Sequence, residues 1–297
     1  IDELCLKSEA TGRIDGSAKK RRCQGLATSR SALTRKEIHS GSGRKIQEQN
    51  NVKGAVMDGG AVPALIQSMK GPGEDLLIIG ISGSPREMRS RTRMLLQWVL
   101  AGAAAAGAKT ELIDLTSLRI EACTACESCS LTGACVHTDD FPFFYERMIA
   151  AHGIVLGSPV YIDHVTGQMK VFIDRLADAI HYQTLSGKYG CAVATTWSSG
   201  GEEVVSYLNH VLNYLGILAL EGISVAIGDD PDCLLGAEER ARNLGAMLTL
   251  AIRTQVPYPG QSAIIGENRA FFARIVEENR EWRRGEYDEW VRKGWII

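Results

Sequence analysis

From Leu76 onward, short apolar runs alternate with stretches of helical apolar periodicity, and this alternation limits the chain to a parallel sheet covered by helices on both faces. The runs Leu76–Ser82, Thr110–Leu115, Gly153–Ser158, Tyr189–Thr195 and Ile223–Ile227 are predicted strands. Between them lie three stripes. The first is Met94, Leu95, Trp98 and Val99; the second is Met169, Phe172, Ile173, Leu176 and Ile180; the third is Val204, Val205, Leu208, Val211, Leu212 and Leu215. A further helix is predicted over Gly236–Arg253, then a proline-containing break over Val256–Gly260 and a helical tail rich in Trp and charge. No internal repeat is present.

The segment before the first strand is different in kind. All 19 aromatic residues lie beyond residue 75, and residues 1–72 carry 13 Lys+Arg against 7 Asp+Glu, whereas the remainder carries 20 against 28. With so little apolar surface to offset ordering entropy, residues 1–72 are expected to be a disordered leader. Met69, seven residues before the first strand, raises the possibility that much of the leader lies outside the native reading frame. The run Lys19-Lys20-Arg21-Arg22 reads as solvated charge, and no nucleic-acid partner is assigned to it. No apolar run has the length of a membrane-spanning helix and no secretory signal pattern is present, so a soluble, cytoplasmic protein with no membrane partner is expected. The division expected is leader 1–72, sheet domain 73–255 and helical extension 256–297.

In an open parallel sheet, ligands sit beyond the carboxyl ends of the strands, so the loops that follow the strands carry the chemistry. The loop Ser82-Gly83-Ser84-Pro85-Arg86, with Ser90 and Thr92 before a helix, combines small residues, hydroxyls, a cation and a helix amino terminus. This composition suits a phosphate group, although it is neither a Walker loop nor a dinucleotide fingerprint. The second loop, Gly157-Ser158-Pro159-Val160-Tyr161-Ile162, offers a fixed backbone and an aromatic face for a flat ring. The third, Thr195-Thr196-Trp197-Ser198-Ser199-Gly200-Gly201, contains paired glycines that permit close backbone approach to a ligand.

Cys123, Cys126, Cys129 and Cys135 have the spacing C-x2-C-x2-C-x5-C. In a chain without an export signal this points to metal or redox chemistry rather than a disulfide framework. Three thiolates on one tight loop with a fourth close behind suit a cuboidal iron-sulfur cluster. Structural zinc also takes four thiolates, usually from two separated pairs, and free thiols are the third reading. The x5 gap and the following Val136 depart from ferredoxin runs. Asp139 or Asp140, ahead of Phe141-Pro142, is expected to cap the next helix. Cys191 reads as a core residue, His152 and His181 as structural, and His164 as a loop residue.

Gly83-Ser84-Pro85-Arg86 with Thr92, Ser158-Pro159-Val160-Tyr161, Lys170 to Arg175 and Gly200-Gly201 together resemble the NADPH-dependent FMN reductase family, over about residues 76 to 225. The cysteine loop resembles that of its iron-sulfur flavoprotein-type subgroup, whose 4Fe-4S cluster follows the second strand. The resemblance implies a flavodoxin-like, doubly wound five-stranded α/β sheet in the order 2-1-3-4-5. It implies FMN as cofactor, bound by the loop of Ser82, Ser84, Pro85, Arg86, Ser90 and Thr92, with the phosphate held through Ser84, Arg86, Ser90 and Thr92. Pro159, Val160, Tyr161 and Ile162 would line the ring, with Thr196, Gly200 and Gly201 on its other side. It also implies NAD(P)H as electron donor, a small-molecule or protein electron acceptor, and a homodimer or higher homo-oligomer formed through the flavin-bearing face. A non-catalytic electron carrier or redox-responsive binding protein is the alternative, but dedicated carriers of this fold are shorter and more acidic.

Overall fold

The computed structural model describes residues 76–230 and 232–296. The leader readings, including Lys19 to Arg22 and the boundary at residue 72, lie outside the described residues. The strands are β1 (Leu77–Ser82), β2 (Lys109–Asp114), β3 (Gly153–Pro159), β4 (Tyr189–Thr196), β5 (Leu218–Ala219) and β6 (Ile223–Ala226). They form one parallel sheet in the order β2-β1-β3-β4-β5, with β6 also paired to β4, as expected for a flavodoxin-like fold.

The edge position is one strand in two pieces, where the sequence pattern gives only the second. Gly190 pairs with Ala219 and Val193 with Ile223, and the chain leaves the ladder between them. Gly222 explains the break, because a Cβ there would stand 2.2 Å from the Ala192 carbonyl oxygen. Gln261 covers the exposed end of this edge, accepting from the Ala219 N–H and donating to its carbonyl, each at 2.7 Å.

Ten helices are described: α1 (Arg91–Ala105), α2 (Ser128–Thr132), α3 (Phe141–Ala150), α4 (Gly167–Arg175), α5 (Ala177–Tyr182), α6 (Gly201–Tyr214), α7 (Asp232–Leu235), α8 (Glu238–Thr254), α9 (Pro259–Glu278) and α10 (Arg284–Arg292). The alternation along β1 divides the core. Ile79 and Ile81 pack with Phe144, Met148, Phe172 and Leu208 from α3, α4 and α6, while Ile78 joins Leu95, Val99 and Leu248 from α1 and α8 on the other face. Each such fully buried side chain contributes about 1.5–3 kcal/mol, which is why these runs are strands and stripes rather than loops. Helices α1 and α8 meet backbone to backbone, since a Cβ on Gly245 would lie 1.8 Å from the Val99 carbonyl oxygen.

The tail forms its own small core of Phe272, Val276, Trp290 and Ile296, with Ile180 and Tyr214 of the sheet domain packed against it. Pro259 opens α9 at the first turn, where its missing N–H costs nothing. Among the described residues no helix is long and apolar enough to cross a membrane.

Candidate functional site

The carboxyl ends of β1, β3 and β4 frame a cavity of about 210 Å³. Its position follows from how the loop after β1 is tied down. The Gly83 N–H donates to the Gly157 carbonyl at 2.8 Å, and Thr166 Oγ1 donates to the Gly83 carbonyl at 2.5 Å. Gly83 has no room for a side chain here, since a Cβ would meet Met169 Cβ at 2.8 Å. Ser90 then caps α1, its Oγ accepting from the Arg93 N–H at 3.0 Å. The hydroxyls of Thr92 and Thr195 share a 2.6 Å hydrogen bond that joins the start of α1 to the end of β4.

One side of the cavity is made by Ser84, Arg86, Ser90, Arg91 and Thr92. The other is made by Pro159, Val160 and Tyr161, with Thr195, Thr196, Trp197 and Ile227. Two guanidinium groups, buried hydroxyls and the positive end of the α1 dipole thus face an apolar and aromatic wall. Such a donor set fits a phosphate at one end and a flat, partly apolar ring at the other. The Oγ of Ser82, fully buried at the end of β1, has no hydrogen-bond partner among the described residues.

Eight of the residues singled out by sequence line this cavity: Ser84, Arg86, Ser90 and Thr92 from the first loop, and Pro159, Val160, Tyr161 and Thr196 from the others. Ser82, Pro85, Ile162, Gly200 and Gly201 do not. Ile162 is fully exposed at the tip of the Tyr161–His164 turn, with φ 50°, and Asp163 beside it has φ 56°. The space left by the paired glycines is used by protein contacts. A Cβ on Gly200 would lie 3.1 Å from Val160 Cγ1, and one on Gly201 would lie 2.9 Å from Ser224 Cβ. Arg91 and Ile227 were not singled out, and Thr195 and Trp197 were named only as members of the third loop. Arg91 could have been found as the residue after the Ser90 cap.

The histidines have structural surroundings. His152 Nδ1 accepts from the Leu77 N–H at 3.2 Å, the His181 ring packs edge-on against Phe272 at 4.9 Å, and His164 packs edge-on against Tyr207 at 4.4 Å. Cys191 is fully buried in β4.

The four spaced cysteines lie on the long connection from β2 to α3, with Cys123, Cys126 and Cys135 exposed and Cys129 half-buried in α2. Ala125 (φ 52°) and Glu127 (φ 60°) fold this loop tightly between the first three. Burial, with the Asp178 carboxylate close by, pushes the Cys129 thiol up to about 11, while the Ser128 N–H lowers that of Cys126. Four thiols on one loop match the chemistry of a cluster or of zinc, yet among the described residues no group of three or more ligating side chains is gathered as a metal would hold it.

A buried clasp fixes the far end of this loop. Arg175 Nη1 and Nη2 donate to Asp139 Oδ2 and Oδ1 at 2.5 and 3.2 Å, and the two side chains are 2% and 1% exposed. Arg175 also reaches the Glu121 carbonyl at 2.9 Å and Cys135 Sγ at 3.4 Å, and lies 4.6 Å over the Phe141 ring. Burial works to raise the Asp139 carboxyl, but hydrogen bonds from Arg175 and from the N–H groups of Glu121 and Phe141 outweigh it and hold the group at about 2. Asp139, not Asp140, meets the first turn of α3, through the Phe141 N–H at 3.2 Å, while Asp140 Oδ2 accepts from the Arg119 N–H at 2.7 Å. Helix α4 therefore links both sites, with Thr166 at the cavity loop and Arg175 at the cysteine loop, about 13 Å apart at 1.5 Å per residue.

Comparison with known proteins agrees with this architecture. A solved flavone reductase superposes with a TM-score of 0.50 at 19% identity, covering 60% of this chain and 63% of its own, a likeness of fold. An iron-sulfur flavoprotein of Archaeoglobus fulgidus is 31% identical over 221 residues, covering 73% of this chain and 99% of its own length. A second protein of that name, from Methanocaldococcus jannaschii, is 32% identical over 191 residues, covering 59% of this chain and 97% of its own length. The profile of the NADPH-dependent FMN reductases matches residues 76–232, the span that contains the sheet, the cavity and the cysteine loop. On these grounds the chain belongs to the NADPH-dependent FMN reductase family, within its iron-sulfur flavoprotein-type group.

Proposed function

We propose that this flavin-dependent oxidoreductase takes electrons from NAD(P)H through FMN held in the cavity and passes them to a small-molecule or protein acceptor. The observation that carries the reading is the asymmetry of the cavity, cationic and hydroxyl-lined at the α1 end, apolar and aromatic at the β3 end, with Thr195, Thr196 and Trp197 at the β4 end. When bound, FMN supplies hydride acceptance from the nicotinamide and onward transfer of one or two electrons. Ser84, Ser90 and Thr92, with Arg86, Arg91 and the amino-terminal turn of α1, hold the phosphate by charge-assisted hydrogen bonds. Pro159, Val160 and Tyr161 orient the ring on one side, and Thr196 and Trp197 exclude water on the other. No general acid or nucleophile from the chain is needed.

The same reading gives the cysteine loop a 4Fe-4S cluster held by Cys123, Cys126, Cys129 and Cys135. The thiol set and the names of the relatives support it. Tyr161 (45% exposed) and Trp197 (62%) at the cavity wall, beside the fully exposed Ile162, support pairing of copies through this face.

The test is steady-state oxidation of NADH and NADPH by FMN-loaded protein with an artificial acceptor. Turnover that is lost when FMN is removed and restored when it is returned is expected. FMN-loaded protein that oxidises neither nucleotide would overturn the enzyme reading in favour of an electron carrier.

A further inference from the structure

The cysteine loop is gripped from two directions, and the second grip comes from the far end of the chain. Trp282 Nε1 donates to Glu127 Oε2 at 2.6 Å, and Arg283 Nη1 donates to Ser130 Oγ at 3.3 Å. Glu127 and Ser130 are the sequence neighbours of Cys126 and Cys129, so each bond ties the side chain next to a thiol. Helix α10 then passes so close to α2 that Gly285 has no room for a side chain. A Cβ there would stand 2.5 Å from the Tyr182 hydroxyl, 3.0 Å from the Gly133 nitrogen and 3.1 Å from the Leu131 carbonyl oxygen. The Tyr182 hydroxyl in turn donates to the Cys129 carbonyl at 3.3 Å.

The gripping helix is itself held. Trp290 is fully buried and donates to the His181 carbonyl at 2.7 Å, and Lys293 donates to the Tyr182 carbonyl at 2.6 Å. Glu286, also fully buried, accepts two further hydrogen bonds from Arg283 Nη1 at 2.9 and 3.0 Å. The loop between Cys123 and Cys129 has little of its own to resist movement, with exposed thiols and two non-glycine residues in the left-handed region.

We propose that the C-terminal extension is a strap that positions the cysteine loop, with Gly285 as its seat and Trp282 and Arg283 as its ties. While α10 is docked, the turn carrying Cys126 and Cys129 is fixed in one arrangement; when α10 lifts, that turn opens and the half-buried Cys129 thiol becomes accessible. The strap rests on the proposed function only for the use made of the thiols, not for the docking itself.

The experiment uses the full, metal-free, reduced chain with alkylation by iodoacetamide followed residue by residue by mass spectrometry. Cys191, buried in β4, reports global opening in the same sample. Gly285→Ala is compared with Gly266→Ala, a glycine on the same extension with nothing within 4 Å of its would-be Cβ. Alanine is intrinsically the better helix former, so loosening by Gly285→Ala comes from the wedge it drives against α2. Expected is a rate at Cys129 raised on the order of tenfold in Gly285→Ala and about twofold or more in Trp282→Phe, with Cys191 and FMN affinity unchanged and Gly266→Ala like the wild type. An unchanged rate at Cys129, or a rise at Cys191 in step with it, would overturn the strap. Reconstitution with ferrous iron and sulfide separates the two readings. A wild-type chain that takes up no iron removes the cluster while the alkylation contrast still decides the strap.

Discussion

Replacing Arg175 by Met tests the physical account of how the cysteine loop is anchored. The substitution keeps the length of the stem but removes two hydrogen bonds to Asp139, one to the Glu121 carbonyl and the cation over Phe141. It also leaves the Asp139 carboxylate, 1% exposed, with only the N–H groups of Glu121 and Phe141. Holding Asp139 at about 2 rather than its ordinary 3.8 already corresponds to about 2 kcal/mol. Breaking a buried ion pair from one side typically costs about 3–5 kcal/mol, because the remaining charge is uncompensated. We expect a loss of about 3 kcal/mol in urea denaturation, partly recovered in the double variant Asp139→Asn with Arg175→Met.

The pH dependence carries the sign. A depressed carboxylate contributes stability above its unfolded value near 3.8 that is lost as pH falls toward 2, so the wild type should weaken across that window. In Arg175→Met this acid loss should shrink or reverse, since burial without the guanidinium to oppose it raises the folded carboxyl toward or past its unfolded value. A variant within 1 kcal/mol of wild type, with an unshifted acid limb, would refute the reasoning.

Two further predictions concern the cavity and the core. Arg86→Ala should weaken FMN binding about tenfold or more through loss of a charge-assisted contact, read by quenching of flavin fluorescence, while leaving thermal stability unchanged because Arg86 is exposed. Gly245→Ala should destabilise the fold by at least about 1–3 kcal/mol in urea, since its Cβ would strike the Val99 carbonyl where α1 and α8 meet, even though alanine favours a helix.

Much of this architecture is written locally. The central strand runs β1, β3 and β4 end within a residue or two of their observed limits because they are buried on both faces and bounded by turn residues, and the loop hydroxyls gather at one crevice because parallel strands all end there. What escaped the sequence depends on contacts between distant segments. The broken edge strand arises from Gly222 pressing on Ala192, the Asp139 clasp from an arginine 36 positions away, and the grip on Glu127 from a tryptophan 155 positions away. No local periodicity encodes such pairs. Gly200 and Gly201 illustrate a related ambiguity, because a glycine needed for close packing looks the same in sequence as one that admits a ligand.

That the cavity over the carboxyl ends of the sheet holds flavin is checked by the absorption spectrum of anaerobically purified protein, with FMN, iron and sulfide quantified on the same sample. The account predicts flavin bands with about one FMN per chain, over a broad shoulder with about four irons per chain. Flavin without iron would remove the cluster and leave a simple reductase; a colourless protein that takes up no FMN on titration would contradict the account itself.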